Sequence, residues 1–227
     1  MDEAKQASVI AIDGPAGSGK SSVATMVAEK LDVPYVNTGS MYRAITLFLQ
    51  QAGVNTAMVE DKEVLPYLEQ IKISYEKNPD GEWDIKLNGG FPGNDLRTPR
   101  VADAVSNVAA LPSVRKFLMQ IQRSSAELGT VVMEGRDIGT VIFPNARWKF
   151  FLWATPEERA KRRLNQDRGK FTGLTLEQVI ANISERDRID SSRAVAPLKQ
   201  ADDAEKVDTT GMSLEQVVDY IAKRVNE

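Results

Sequence analysis

The residues of this chain best equipped for chemistry form one short run, Gly14-Pro15-Ala16-Gly17-Ser18-Gly19-Lys20-Ser21, which fits G-x-x-x-x-G-K-[ST]. Glycines at these positions let backbone amides turn toward a bound anion with no Cβ in the way, and Lys20 is spaced to reach the outer oxygens of a polyphosphate. Ser21 offers a hydroxyl to Mg²⁺, and Ser22 is a second candidate on the same turn. The run predicts a binding site for ATP or GTP at residues Gly14 to Ser22. That reading requires a strand entering the loop and a helix leaving it.

Both flanks are present. Ser8 to Asp13 (SVIAID) is a nearly all-apolar run that breaks at Gly14, the pattern of a strand buried on both faces. Val23, Met26, Val27 and Leu31 recur at helical steps. Val33 to Val36 then reads as a second strand and Met41 to Gln51 as a second helix, and such alternation predicts an α/β fold on a parallel sheet. Between about Val59 and Arg100 the character changes: Ile71, Ile73 and Tyr75, then Trp83, Ile85 and Leu87, alternate across the turn Asn78-Pro79-Asp80-Gly81. This predicts a small antiparallel insert, either an appendage or one wall of a substrate cleft. Helical spacing returns at Val101, Val105 and Val108, and again at Val114, Phe117, Leu118 and Ile121, the two segments dividing near Pro112. Thr130 to Met133 and Trp148 to Trp153 read as further strands. Thr155-Pro156-Glu157-Glu158 supplies an N-cap, a first-turn proline and a capping-box acid, and Thr175 to Gln178 opens another helix. A short strand near Lys206 to Asp208 and a helix on Leu214, Val217, Val218, Ile221 and Val225 complete the pattern.

Composition narrows the chemistry. The 227 residues include 0 Cys and 0 His, which excludes thiolate or imidazole metal sites, a Cys nucleophile, a Ser-His-Asp triad and disulfides. The remaining inventory of carboxylate, Lys, Arg, hydroxyl and backbone amide suits phosphoryl transfer, where positioning and charge stabilisation dominate. A net charge of -3 gives no global reason to expect a nucleic-acid partner. The polar opening MDEAKQAS is not a secretory signal, and nowhere do 18 consecutive apolar residues occur. The expectation is a cytoplasmic protein without a membrane partner, and a monomer, since no long heptad pattern is present.

A GTPase would carry a D-x-x-G switch and a later N-K-x-D. The second motif is absent, and Asp208-Thr209-Thr210-Gly211 falls too late to be a switch. A kinase of a small acceptor remains, and it must hold a second anion beside the first. Residues 155–200 carry +3 while the rest of the chain carries -6. Arg159 and Arg163 stand four apart on one helix face with Arg162 alongside, and Arg186, Arg188 and Arg193 follow. The planar arginine fork binds phosphate bidentately. Glu134-Gly135-Arg136-Asp137 directly follows a predicted strand, at the edge where parallel sheets bind ligands. Glu134 there could hold a Mg²⁺-bound water, Arg136 the acceptor phosphate, and Asp137 the acceptor base or Lys20. A turn with a local salt bridge is the plainer alternative.

Together these segments resemble the bacterial cytidylate kinase family over nearly the whole chain: IDGPAGSGKSS, NTGSMYR at Asn37 to Arg43, the insert, EGRDIGTVIFP at Glu134 to Pro144, EERAKRR at Glu157 to Arg163, and ERDRIDSSRAVAPL at Glu185 to Leu198. The resemblance implies a P-loop kinase core of five parallel strands at residues 1–58 and 101–227, with a helical lid at about 155–173 and an insert at 59–100 on the nucleoside-monophosphate side. It implies transfer of the γ-phosphoryl group of ATP, with Mg²⁺, to CMP or dCMP. By position, Gly14, Pro15, Ala16, Gly17, Ser18, Gly19, Lys20, Ser21 and Ser22 would bind ATP, and Thr38, Tyr42 and Arg43 would approach the acceptor. Ser106, Arg115 and Asp137 would read cytosine. Arg136 and Arg193 would clamp the acceptor phosphate, Arg186 and Asp190 would lie near phosphate and ribose, and Arg159 and Arg163 would close over the moving phosphoryl group. Some members have Gly at the position of Ser21, Asp at that of Glu134, and Ser at that of Thr38. A kinase of UMP or another monophosphate, or a non-catalytic ATP-binding module, would share the same loop.

Overall fold

The computed structural model describes residues 8–166 and 174–227. The opening segment at residues 1–7, and residues 167–173 of the lid expected at about 155–173, lie outside the described residues. By its internal contacts the chain divides into two units, Met1–Tyr35 with Leu128–Glu227, and Val36–Glu127. The insert expected at 59–100 falls inside the second.

The first unit is built on β1 (Val9–Asp13), β5 (Val131–Gly135), β6 (Trp148–Trp153) and β7 (Glu205–Asp208). With β2 (Tyr35–Asn37), in which the unit boundary falls, they form the five-stranded parallel sheet, ordered β2-β5-β1-β6-β7. All five residues of β1 and all five of β5 are buried, because β1 is central and helices cover the sheet. α1 (Lys20–Leu31) packs Val23, Ala24 and Val27 on Ile10, Ile12, Val132 and Leu152, and α8 (Leu214–Asn226) adds Val217, Val218 and Ile221 to the same core. α6 (Pro156–Gln166) and α7 (Leu176–Ser192) follow β6. Thr155 Oγ1 accepts from the Glu158 amide at the start of α6, and α7 opens on a capping box between Thr175 and Gln178.

The second unit carries α2 (Thr38–Gln51), α3 (Asp61–Leu68), the antiparallel pair β3 (Ile73–Lys77) and β4 (Trp83–Leu87), α4 (Pro99–Ala110) and α5 (Pro112–Ser124). Tyr75 pairs with Ile85 and Lys77 with Trp83 in register, and the Asn78 side chain closes the turn by accepting from the Asp80 and Glu82 amides. α3 was not predicted. It forms despite Pro66, held at its start by Glu63 accepting from the Glu60 amide. Several boundaries also move: α2 starts at Thr38 rather than Met41 because the Asn37 side chain caps it through the Ser40 amide.

Candidate active site

The loop between β1 and α1 is shaped by close backbone approach. A Cβ on Gly14, whose φ is +149°, would lie 2.2 Å from the Leu152 carbonyl oxygen, so no larger residue fits. The loop ends at Gly19 in a left-handed conformation with no side-chain cap, and α1 starts at Lys20. Gly19 has no side chain with which to cap the helix, as at helix N-termini that bind phosphate. Lys20 folds back over the loop: its Nζ donates to the Pro15 carbonyl at 2.6 Å and to Ser18 Oγ at 3.2 Å. The ammonium is buried, and burial together with the nearby charges of Arg136 and Arg186 holds it well below the usual lysine range, against Glu134 and Asp187. An added anion would relieve this crowding of cations.

Ser21 Oγ, on the first turn of α1, donates to Glu134 Oε1 at 2.6 Å, and the Tyr35 hydroxyl donates to the same oxygen at 2.7 Å. Glu134 is buried at the C-terminal end of β5. One residue on, Arg136 Nε donates to Asp190 Oδ2 on α7 at 2.8 Å. Burial alone would raise the Asp190 carboxyl, but Arg136, Arg186 and Arg193 outweigh it and hold it below the usual carboxylate range. Arg193, also buried, donates from Nε to the Asp190 carbonyl. The structure therefore gathers Lys20, Ser21, Glu134, Arg136, Arg186, Asp190 and Arg193 in one unit. Asp137 is buried there too, and its carbonyl accepts from Val141 and Ile142 in the π-helical turn Ile138–Ile142.

The arginines divide. Arg159 is 5% exposed and spends its donors on the Ala154 carbonyl, the Ala16 carbonyl and the Asp187 carboxylate. Asp187 also accepts from the Ala16 amide at 2.8 Å, so α6 and α7 both grip the outer part of the loop. Arg162 is paired with Glu158 and Thr209, and Arg188 turns outward to Glu185, so neither joins the cluster around Asp190. Arg163 stands in the last turn of α6.

In the second unit, Thr38 and Tyr42 are buried on α2, Ser106 on α4 and Arg115 on α5. The Arg115 guanidinium lies over the Tyr42 ring at 5.5 Å and donates from Nη1 to the Ala109 carbonyl. Arg43 Nη1 donates to the Leu96 carbonyl at 3.2 Å.

Three participants were not singled out from sequence. Asp187 lay unmarked among the charges of ERDR, and Tyr35 read as a strand residue. Asp13 alone gave a signal, as the one charged residue in the apolar run before Gly14.

The cytidylate kinase family profile matches residues 10–227. The chain is 43% identical to a cytidylate kinase of Clostridioides difficile (strain 630) over 96% of its own length and 98% of the relative's. It is 45% identical to a cytidylate kinase of Geobacillus sp. (strain WCH70), covering 96% of each. Its fold is similar to that of an uncharacterized protein from Eubacterium ventriosum at 13% identity, with a TM-score of 0.53 over 96% of this chain and 98% of that one. With a matching profile that spans the loop, the Arg136–Asp190 pair and both units, the chain belongs to the cytidylate kinase family.

Proposed function

We propose that the protein transfers the γ-phosphoryl group of ATP to the 5′-phosphate of CMP or dCMP, giving ADP and CDP or dCDP. The observation that carries this reading is the buried Lys20 on the loop, with Arg136, Arg186 and Arg193 gathered around Asp190 in the same unit. ATP lies along Gly14 to Ser22. An oxygen of the acceptor phosphate attacks the γ-phosphorus, the bond to the bridging oxygen of ADP breaks, and the electron pair stays on the ADP phosphate. Phosphate is already anionic near neutral pH, so no general base is needed. Arg136, Arg186 and Arg193 offset the repulsion between the two polyanions, while Lys20 and Arg163 stabilise charge on the moving group. Arg159 takes part by exchanging Asp187 for that group. Thr38, Tyr42 and Arg43 serve the acceptor, and Asp190 its ribose. Ser106, Arg115 and Asp137 read cytosine, the carboxylate accepting from the 4-amino group and the guanidinium donating to the ring. Residues 59–100 form the acceptor-side insert and 155–173 the lid, which excludes water.

The Ser21 hydroxyl and the Glu134 carboxylate form an all-oxygen donor set that fits Mg²⁺. No group of three or more carboxylates gathers for a metal among the described residues, so phosphate oxygens would complete the coordination. When bound, the ion neutralises phosphate charge. Among the described residues no helix is long and apolar enough to cross a membrane. The protein works as a cytoplasmic monomer on small molecules rather than nucleic acid or membrane.

One assay tests the reading. ADP release measured with CMP, dCMP, UMP and AMP should be fastest with CMP or dCMP, stop with EDTA and return with Mg²⁺. ATP binding without turnover would instead identify a regulatory module, and fastest turnover with UMP would reassign the acceptor.

A further inference from the structure

Asp13 is the last residue of β1, 5% exposed, with Gly135 of β5 and Phe151 of β6 opposite it in register. A carboxylate in so buried a place needs strong partners. Main-chain amides of a single turn serve it: Oδ1 accepts from Ile138 N–H at 2.9 Å and Oδ2 from Gly139 N–H at 2.8 Å. The two oxygens thus hold the first two amides of the turn Ile138–Ile142, directly after Arg136 and Asp137. The turn is also closely packed at Gly139. A Cβ on Gly139 would stand 3.1 Å from Lys149 Cδ and 3.5 Å from Asp13 Oδ2. The lysine stem has little room to yield, because its Nζ is held by Asp203 at 2.6 Å and by the Pro144 carbonyl.

We infer that Asp13 is a positioning residue for the acceptor nucleotide: by clamping Ile138 and Gly139 it fixes Arg136 and Asp137 in the places from which they hold phosphate and base. The inference rests on the reading of Arg136 and Asp137 given above. Asp13 precedes the ATP loop in sequence, yet its carboxylate faces the segment after β5, so its loss should fall on the acceptor more than on ATP. Displacing a binding group by a fraction of an ångström weakens binding and transfer together.

The test measures KM separately for CMP and for ATP in Asp13→Asn, Gly139→Ala and Asp137→Asn. Asn presents an NH₂ to one of the two amides, so one hydrogen bond is lost and a donor faces a donor. Asp13→Asn should raise KM for CMP about tenfold or more while KM for ATP moves less than about threefold. Gly139→Ala keeps the carboxylate and pushes the same turn, and it should give the same CMP-selective defect even if Asp13→Asn fails to fold. If Asp137→Asn raises KM for CMP but Asp13→Asn and Gly139→Ala leave it unchanged, or raise both KM values equally, the positioning role is overturned. If Asp137→Asn itself leaves KM for CMP unchanged, the acceptor reading has failed instead.

Discussion

In the loop after β1 the groups that meet negative charge are main-chain amides and one lysine, held in place by glycines and by the start of α1. Around Asp190 they are guanidinium groups from three places in the chain, Arg136, Arg186 and Arg193, held in place by a carboxylate. The first arrangement is local: eight consecutive residues contain it. The second is assembled by the sheet and α7, which bring Arg136 to Asp190 from 54 residues away in sequence. A local device can be read from spacing; an assembled one depends on which of several similar side chains the fold turns inward.

The largest expected effect breaks the first arrangement. Lys20→Ala removes the one side-chain cation of the loop, and turnover should fall about a thousandfold. Stability should not fall with it, because Lys20 is a desolvated charge whose neighbours include two arginines. Thermal unfolding beside steady-state rates checks both halves. A variant with normal turnover would remove the loop from the mechanism.

The second arrangement should fail differently. Arg136→Met takes one cation from Asp190 and leaves that carboxylate buried with less compensation. KM for CMP should rise about a hundredfold, KM for ATP only a few-fold, and the unfolding temperature should drop. Equal losses for both nucleotides would mean that the two regions act as one site and that the contrast between them is false.

The same contrast explains what was legible before the fold was known. The loop, its flanking strand and helix, and the hairpin at Asn78 to Gly81 each follow from residues within reach of one another, and each is where spacing placed it. Glu134 and Arg136 were visible because a strand end marks the ligand edge of a parallel sheet. Spacing alone could not sort the arginines; only the family resemblance had given roles to Arg186 and Arg193 and none to Arg188. Arg186 and Arg188 differ by two positions on one helix, yet Arg188 pairs with Glu185 in solvent while Arg186 faces the buried cluster. Asp187 was hidden for the same reason: only packing of α6 and α7 on the loop, through Ala16, Ala160, Val179 and Ile183, brings it to the Ala16 amide. α3 was obscured by Pro66, a residue that normally argues against a helix interior.

The smallest effect sets the two buried aspartates against each other. Burial raises the Asp13 carboxyl to about 6, against 3.8 when unburied; the amides of Gly139 and Ile138 and the charge of Lys20 lower it, and Asp137 raises it further. Asp190 is shifted the other way by its arginines. A raised carboxyl binds its proton more tightly folded than unfolded, so its contribution is fully present below pH 3.8 and is lost as pH rises through 6. That loss amounts to about 3 kcal/mol. Asp190 gives the opposite slope at lower pH, adding stability above the unfolded carboxylate range and losing it in acid. Denaturant unfolding of the protein and of Asp13→Asn between pH 4 and pH 7 isolates the first slope. The protein should lose about 2 kcal/mol relative to the variant across that interval, the rest of the loss falling below pH 4. A constant difference would show that folding does not raise the Asp13 carboxyl, so that the two amides offset its burial completely and the contrast with Asp190 lies only in which donors each aspartate uses.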